Sequence, residues 1–98
     1  MKDILTNLNK ILENRVRLGI MSALIVNDSV DYNRLKKLLD VTDGNLASHL
    51  KALEKHGMII VHKRFVGRKP NTSYSTSDNG KKLFKQHLQA LEKLINRV

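Results

Sequence analysis

The chain has 98 residues, the size of a single domain, and we expect one domain that extends from residue 1 to residue 98. Its 18 Lys and Arg residues against 9 Asp and Glu give a net charge of +9, which favours polyanionic partners. The chain contains no cysteine, which excludes disulfides and thiolate metal sites and leads us to expect a cytoplasmic protein. No apolar stretch approaches the roughly 20 residues that span a bilayer, so no membrane partner is expected.

The first half of the chain predicts three helices and one short strand. Apolar residues occupy one helical face over residues 3–12, and they continue at helical spacing over residues 16–25. We expect a short strand at residues 29–31 that pairs with a later hairpin. A third helix follows, and its buried stripe is expected to consist of Tyr32, Leu35, Leu38 and Leu39. A tight turn at residues 40–43 ends this half.

The second half predicts a helix, a hairpin and a last helix. The fourth helix begins at residue 42 or 43, where a Thr and an Asp can cap it, and ends just before Gly57. We expect a strand at 58–65, a turn at 66–70 and a return strand at 71–76. The last helix occupies residues 78–97. The order predicts an α+β, mostly helical fold, namely a winged helix-turn-helix with additional N- and C-terminal helices.

The exposed face of the fourth helix suits a DNA major groove. Leu46, Leu50 and Leu53 form the buried stripe, so the opposite face is small and polar at its start and cationic towards its end. Small or hydrogen-bonding side chains let a helix approach base edges, whereas lysines further along reach phosphates. An ordinary solvated face is the alternative interpretation. The candidate DNA-binding residues of this recognition helix are Thr42, Gly44, Asn45, Ser48, His49, Lys51 and Lys55.

Four cations surround the turn of the predicted hairpin, which would be the wing. A basic wing can lie along phosphates or place an arginine in the minor groove. Protection of an exposed strand edge by lysine is the alternative, but four cations within residues 63–70 exceed what that role needs. The candidate DNA-binding residues of the wing are Lys63, Arg64, Arg68, Lys69, Asn71 and Thr72.

The terminal helices carry apolar residues that suit pairing with a second copy. In the last helix these residues repeat at intervals of four and three, close to a heptad seam. Each terminal helix could instead cap the core of its own domain. We expect a homodimer, which would present two recognition helices to half-sites roughly 34 Å apart. The predicted interface residues are Ile4, Leu8, Ile11, Phe84, Leu88, Leu91, Ile95 and Val98.

Neither a metal site nor a catalytic site is expected. The histidines show no pair at i, i+3 or i, i+4 on one helix, and no acidic residue stands at ligand spacing from them. Ser48 and His49 are neighbours in sequence and therefore point to different sides of a helix. We expect no cofactor and no enzymatic activity. The sequence identifies no small-molecule effector.

Three stretches match a known pattern, namely DYNRLK at 31–36, TDGNLASHL at 42–50 and LEKHG at 53–57. The match continues through Lys63, Gly67, Arg68, Lys69, Pro70, Thr72, Thr76 and Gly80. Over residues 15–85 the chain thus resembles small winged-helix regulators allied to the MarR and ArsR families. The resemblance implies a dimeric DNA-binding transcriptional regulator whose terminal helices form the dimer interface. It places Gly44, Asn45, Ser48 and His49 on the recognition helix.

We therefore expect a sequence-specific, double-stranded DNA-binding transcriptional regulator that acts as a homodimer. The alternative is a winged-helix protein-interaction module whose basic face binds acidic partners without DNA sequence specificity. An RNA-binding winged helix is a third reading, which the scarcity of aromatic residues for base stacking disfavours.

Overall fold

Five α-helices and a three-stranded antiparallel sheet form the fold, in a computed structural model that describes residues 1–97. The helices are α1 (Lys2–Thr6), α2 (Arg15–Ile25), α3 (Tyr32–Leu39), α4 (Asp43–Lys55) and α5 (Asp78–Arg97), with a 3-10 turn at Lys10–Leu12. The strands are β1 (Val30–Asp31), β2 (Ile59–Val66) and β3 (Lys69–Thr76), in the spatial order β1-β3-β2. The predicted fold class, a winged helix-turn-helix with an extra helix at each end, is confirmed.

The core lies where α2, α3 and α4 meet the base of the sheet. Its fully buried side chains include Ile20, Met21 and Leu24 of α2, Leu35 of α3, Leu46 and Leu53 of α4, and Met58 beside β2. Burying each such side chain contributes about 1.5–3 kcal/mol. Because the stripe of α4 is buried as predicted, the polar face of that helix is fixed towards solvent.

Leu38 departs from the expected stripe of α3, because it is 56% exposed. Tyr32, Leu35 and Leu39 contact the core from one narrow side of this eight-residue helix. At 100° per residue, Leu38 lies about 90° away from the centre of that side. The prediction that Leu38 is buried is therefore wrong.

Both ends of α4 are fixed by local hydrogen bonds. Thr42 caps the start, where its Oγ1 accepts from the Asn45 N–H at 3.2 Å. At the other end Gly57 has φ +67°, and the N–H groups of Gly57 and Met58 donate to the carbonyls of Glu54 and Leu53 at 2.9 and 3.0 Å. This is a Schellman motif, and it confirms the end predicted at Gly57.

The wing turn is shorter than the predicted turn at 66–70. Val66 pairs with Lys69, so only Gly67 and Arg68 connect the two strands. Gly67, the first of these two residues, has φ +65°, whereas Arg68, the second, has no positive φ. A positive φ at the first position alone defines a type II′ turn, which favours glycine there. Such a turn lets the strands pair right up to the turn, so β2 reaches Val66 and β3 begins at Lys69, two residues earlier than predicted.

The predicted single helix at residues 3–12 is wrong, because the chain breaks between α1 and the 3-10 turn. Asn9 is extended, and its side-chain Oδ1 accepts from the Ile11 N–H at 2.9 Å. This local hydrogen bond competes with a continuous helix. The Asn9 N–H instead donates to Nδ1 of the buried His87 at 3.0 Å, which joins the N-terminal segment to α5.

The start of α5 rests closely on the backbone before β2. Ser77 caps the helix, since its Oγ accepts from the Gly80 N–H at 2.9 Å and donates to the Gly57 carbonyl at 2.6 Å. A Cβ at Gly80 would lie 2.0 Å from the carbonyl oxygen of Met58. Glycine at this position therefore allows α5 to dock against the end of α4 and the start of β2.

Candidate nucleic-acid interface

The outward face of α4 places most of the predicted recognition residues in solvent. Gly44, Asn45, Ser48, Lys51 and Lys55 are exposed, and a Cβ at Gly44 would meet no atom within 4 Å. The start of this face is therefore open and small, which permits close approach by a large partner. Its two lysines lie one and two turns further along, where they add positive charge.

An ion pair and a hydrogen bond hold the first turn of α4 against α3. Lys36 Nζ lies 3.1 Å from Asp43 Oδ2, and the Tyr32 hydroxyl donates to Asp43 Oδ1 at 3.0 Å. The hydrogen bonds from Lys36 and then from Tyr32 lower the pKa of Asp43. The negative charge of the Asp43 carboxylate, at the start of α4, is thus compensated by the positive charge of Lys36. The sequence patterns did not reveal this cluster, because it joins residues on two different helices.

His49 faces the flank of α4 rather than its centre. It is half-buried, and its Nδ1 lies 3.1 Å from Arg17 Nη1, while Arg17 Nε donates to the Ile11 carbonyl at 2.6 Å. Because a guanidinium only donates, Nδ1 accepts, and the neutral ring carries its proton on Nε2. Burial first, and then the charge of Arg17, lower the pKa of His49. Arg17 thus positions a predicted recognition residue, and no local sequence signal identified Arg17, since the contact spans 32 positions.

The four predicted wing cations are all exposed, but they occupy different faces of the hairpin. Lys63 is paired with Thr72, and both line a groove beside Ala47 and Lys51 of α4. Because side chains alternate along a strand, Arg64 belongs to the opposite face. The wing therefore turns one row of side chains towards the recognition helix and another row away from it.

Asn71 and Thr72 are less accessible than the cations, since both are half-buried. They line a groove at the base of the wing, together with Tyr32, Asn33 and Pro70. Asn71 Oδ1 is buried and has no hydrogen-bond partner within the part of the chain that the structure describes. Thr72 thus joins the face directed to α4, and Asn71 stands at the edge between the wing and α3.

The predicted dimer residues divide into two groups. Ile4 and Phe84 are buried within the chain, and Leu8 and Ile11 are half-buried. Val98 lies outside the described residues. The remaining three form an exposed stripe on α5, in which the exposed fractions of Leu88, Leu91 and Ile95 are 45%, 36% and 75%. The apolar groove beside this stripe is lined by Phe84, Leu88 and Ile25 of α2.

Other kinds of site are not evident in residues 1–97. No group of three or more His, Asp or Glu side chains in this part of the chain could hold a metal ion. No helix within the same residues is long and apolar enough to cross a membrane.

The element order, the capped recognition helix and the paired wing define a winged helix-turn-helix protein. The profile of the family described as winged helix DNA-binding domain matches residues 16–95, so the chain belongs to this family. The chain is also 30% identical, over 89 residues, to an uncharacterized protein of Methanocaldococcus jannaschii, and the match covers 91% of this chain and 97% of that protein.

Two solved structures are similar over most of the chain. One is the transcriptional regulator homologue protein from Pyrococcus horikoshii OT3, with 35% identity, a TM-score of 0.84, and coverage of 97% of this chain and 92% of that chain. The other is the putative transcriptional regulator ytfH from Salmonella typhimurium, with 25% identity, a TM-score of 0.73, and coverage of 89% and 76%. The predicted resemblance to winged-helix regulators is confirmed. The protein is a DNA-binding winged-helix protein with the fold of transcriptional regulators.

Proposed function

We propose that the protein is a sequence-specific regulator of transcription that binds double-stranded DNA as a homodimer in the cytoplasm. The observation that carries the proposal is the open, polar start of α4 beside a basic wing. Asn45 and Ser48 would make base contacts, because amide and hydroxyl groups can donate to and accept from base edges. Gly44 would let the backbone approach those edges. His49, held by Arg17, would offer its Nε2–H as a donor.

The cations would supply the part of the affinity that does not depend on sequence. Lys51 and Lys55 follow the polar start of α4, and phosphates flank a helix that lies in the major groove. Lys63 shares the groove between α4 and the wing with Lys51, so both could reach the same strand of the duplex. Arg68 at the turn would reach furthest from the core. Thr42 caps α4 and can still donate its hydroxyl proton to a phosphate.

Dimerisation would use the exposed stripe of α5. Leu88, Leu91 and Ile95 lie on one face at heptad-like spacing, and their exposure within one chain is unfavourable unless a partner covers them. Ile25 and Phe84 extend this apolar surface towards the core. The buried Ile4 instead packs α1 onto its own α5, so α1 would support the interface helix more than it contacts the partner.

Salt dependence of duplex binding tests the electrostatic part of the proposal. If six Lys and Arg residues contact phosphates, the logarithm of the binding constant should fall with the logarithm of the salt concentration at a slope of about −5. Lys51→Ala should reduce the steepness by about 0.9. Lys82→Ala removes the same charge from an exposed position on α5 and should leave the slope unchanged. Equal slopes for both variants would contradict the assignment of α4 to DNA. Binding of acidic polypeptides at the affinity of duplex DNA would favour a protein-interaction module instead.

A further inference from the structure

Phe65 is the aromatic side chain that this protein leaves in solvent. Tyr74 and Phe84 are buried and Tyr32 is half-buried, whereas Phe65 is 74% exposed, close to the tip of the wing. Its apolar surface contributes little to folding, because the gain from burial requires removal from water. The ring therefore stands at a fixed position of a short hairpin, where a partner can reach it.

The strand register places Phe65 on the side of the recognition helix. Phe65 pairs with Pro70, and the next pair on the same face of the hairpin is Lys63 with Thr72. Lys63 and Thr72 line the groove beside α4. Phe65 and Pro70 therefore continue that face outward, beyond the groove. The neighbouring Val66 is also exposed but belongs to the opposite face.

The charges around Phe65 select the kind of partner. Lys63 lies two residues before it on the same face, and Arg68 stands at the turn beyond it. Arg64 and Lys69 are close to it along the hairpin but belong to the opposite face. An apolar side chain on a hairpin tip that carries cations on both faces fits a surface with apolar walls between rows of negative charge. The minor groove of duplex DNA has this character, since its sugar walls lie between two phosphate backbones.

We propose that Phe65, supported by Pro70, is an apolar wedge that enters the minor groove beside the major groove contacted by α4. The inference rests on the proposed function. It adds a residue whose binding depends on how easily the DNA sequence is deformed, and not on hydrogen bonds to base edges. Wedges of this kind partly unstack a base step and bend the duplex, at least cost where the step is flexible. The arginines then pair with the flanking phosphates, and the preferred flank is a flexible pyrimidine–purine step such as TA.

Binding of Phe65→Ala to two duplexes tests the wedge. Both duplexes carry the site preferred by the unaltered protein, and their flanks under the wing contain either a TA step or a stiff G·C-rich segment. The unaltered protein should prefer the TA flank. Phe65→Ala should lose about tenfold or more on the TA duplex and should lose the flank preference, since burial of the ring is removed. The salt slope should stay unchanged, because no charge is removed.

Three controls complete the test. Phe65→Leu keeps an apolar side chain and should retain most of the flank preference. Val66→Ala alters the adjacent exposed residue on the opposite face and should behave as the unaltered protein. Heparin, a polyanion without base pairs, should bind Phe65→Ala and the unaltered protein equally. If Phe65→Ala keeps the flank preference, or Val66→Ala loses it equally, the wedge is wrong while the proposed function stands. If the unaltered protein binds no duplex selectively, both fail.

Discussion

Asn45 and Ser48 are exposed near the start of α4, where a helix that enters a major groove makes its base contacts. Asn45→Ala or Ser48→Ala should cost about 1–3 kcal/mol on the preferred site and flatten the base preference, because base contacts carry the sequence information. Competition binding against duplexes with single base changes would measure both effects.

Substitutions of the wing cations provide the comparison with those of Asn45 and Ser48. Arg68→Ala or Lys69→Ala should weaken preferred and random DNA by similar factors and reduce the salt slope by about one unit each. If Arg68 enters the minor groove itself, its removal should weaken A·T-rich flanks most. If the variants at Asn45, Ser48, Arg68 and Lys69 all lost affinity for preferred and random DNA equally, α4 would not be the recognition helix.

His49 shows what a sequence pattern can and cannot predict about a single residue. The sequence pattern placed it on α4 among the residues of the exposed polar face, whereas the structure has it half-buried at the margin of the buried stripe. Its contact with Arg17, and the hydrogen bond from Arg17 to the Ile11 carbonyl, depend on how α2 packs on α4. No property of the local sequence fixes that packing. For the same reason the pairing of Asp43 with Lys36 and Tyr32 could not be predicted.

At the scale of elements, the packing of α5 against the start of β2 depends on Gly80. Gly80→Ala would place a Cβ 2.0 Å from the Met58 carbonyl oxygen, which forces α5 to shift. We expect a loss of about 3 kcal/mol or more in the free energy of unfolding. Gly44→Ala is the matched control, since its Cβ meets no atom within 4 Å. It should raise the free energy of unfolding by up to about 1 kcal/mol. Urea unfolding would measure both variants, and equal effects would contradict the close contact.

The junction of α5 with the N-terminal segment should depend on pH through His87. Its Nδ1 accepts from the Asn9 N–H, and burial lowers the pKa of His87, partly offset by Glu13. The folded pKa therefore lies below the unfolded value near 6.5. The unfolded chain binds the proton first, so stability is fully present above pH of about 6.5 and is lost as pH falls towards the folded pKa.

His87→Asn isolates this contribution, since asparagine keeps an acceptor but does not titrate. The loss of unfolding free energy between pH 7.5 and 5.5, measured by urea unfolding, should be smaller in this variant than in the unaltered protein. His56, exposed at the end of α4, supplies the control, and His56→Asn should keep the full loss. A pH dependence that is the same in all three proteins would contradict the role of His87.

Most elements could be predicted because their signals are local. Thr42 and Gly57 mark the ends of α4 through capping groups, and the core stripes follow the helical period. The failures also have local causes. After α1 has ended at Thr6, Asn9 is extended and its side chain caps a separate 3-10 turn. Gly67 allows a two-residue turn where five residues were expected. The burial of Phe84 beside the exposed Leu88 was not predictable, because it depends on where α5 leaves the core.

At the scale of the whole molecule, the elongated shape leaves α5 accessible along much of its length. The molecule measures 53 × 25 × 21 Å, and its radius of gyration of 14.7 Å exceeds the roughly 13 Å of a compact domain of about 100 residues. One chain therefore cannot cover the stripe of Leu88, Leu91 and Ile95. This geometry supports the proposal that a second copy covers it.

Leu88→Glu or Leu91→Glu would place an unpaired carboxylate in the proposed twofold contact, at a cost of several kcal/mol. Either variant should sediment as a monomer while the winged helix-turn-helix stays folded. Its affinity for a two-half-site operator should drop steeply, because the half-sites are then bound independently. Asn96→Glu introduces the same charge on α5 outside the stripe and should remain dimeric. An unaltered protein that sediments as a monomer at tens of micromolar would contradict the dimer.

The most direct measurement is a selection of bound fragments from a genomic library of duplex DNA, followed by alignment of the recovered sequences. It reports sequence specificity and symmetry together. A homodimer that reads DNA through α4 should recover a shared palindromic motif, with half-sites centred about one helical turn or a multiple of it apart. Recovery of fragments without any common motif would contradict sequence-specific recognition, and a single asymmetric half-site would contradict the dimeric arrangement.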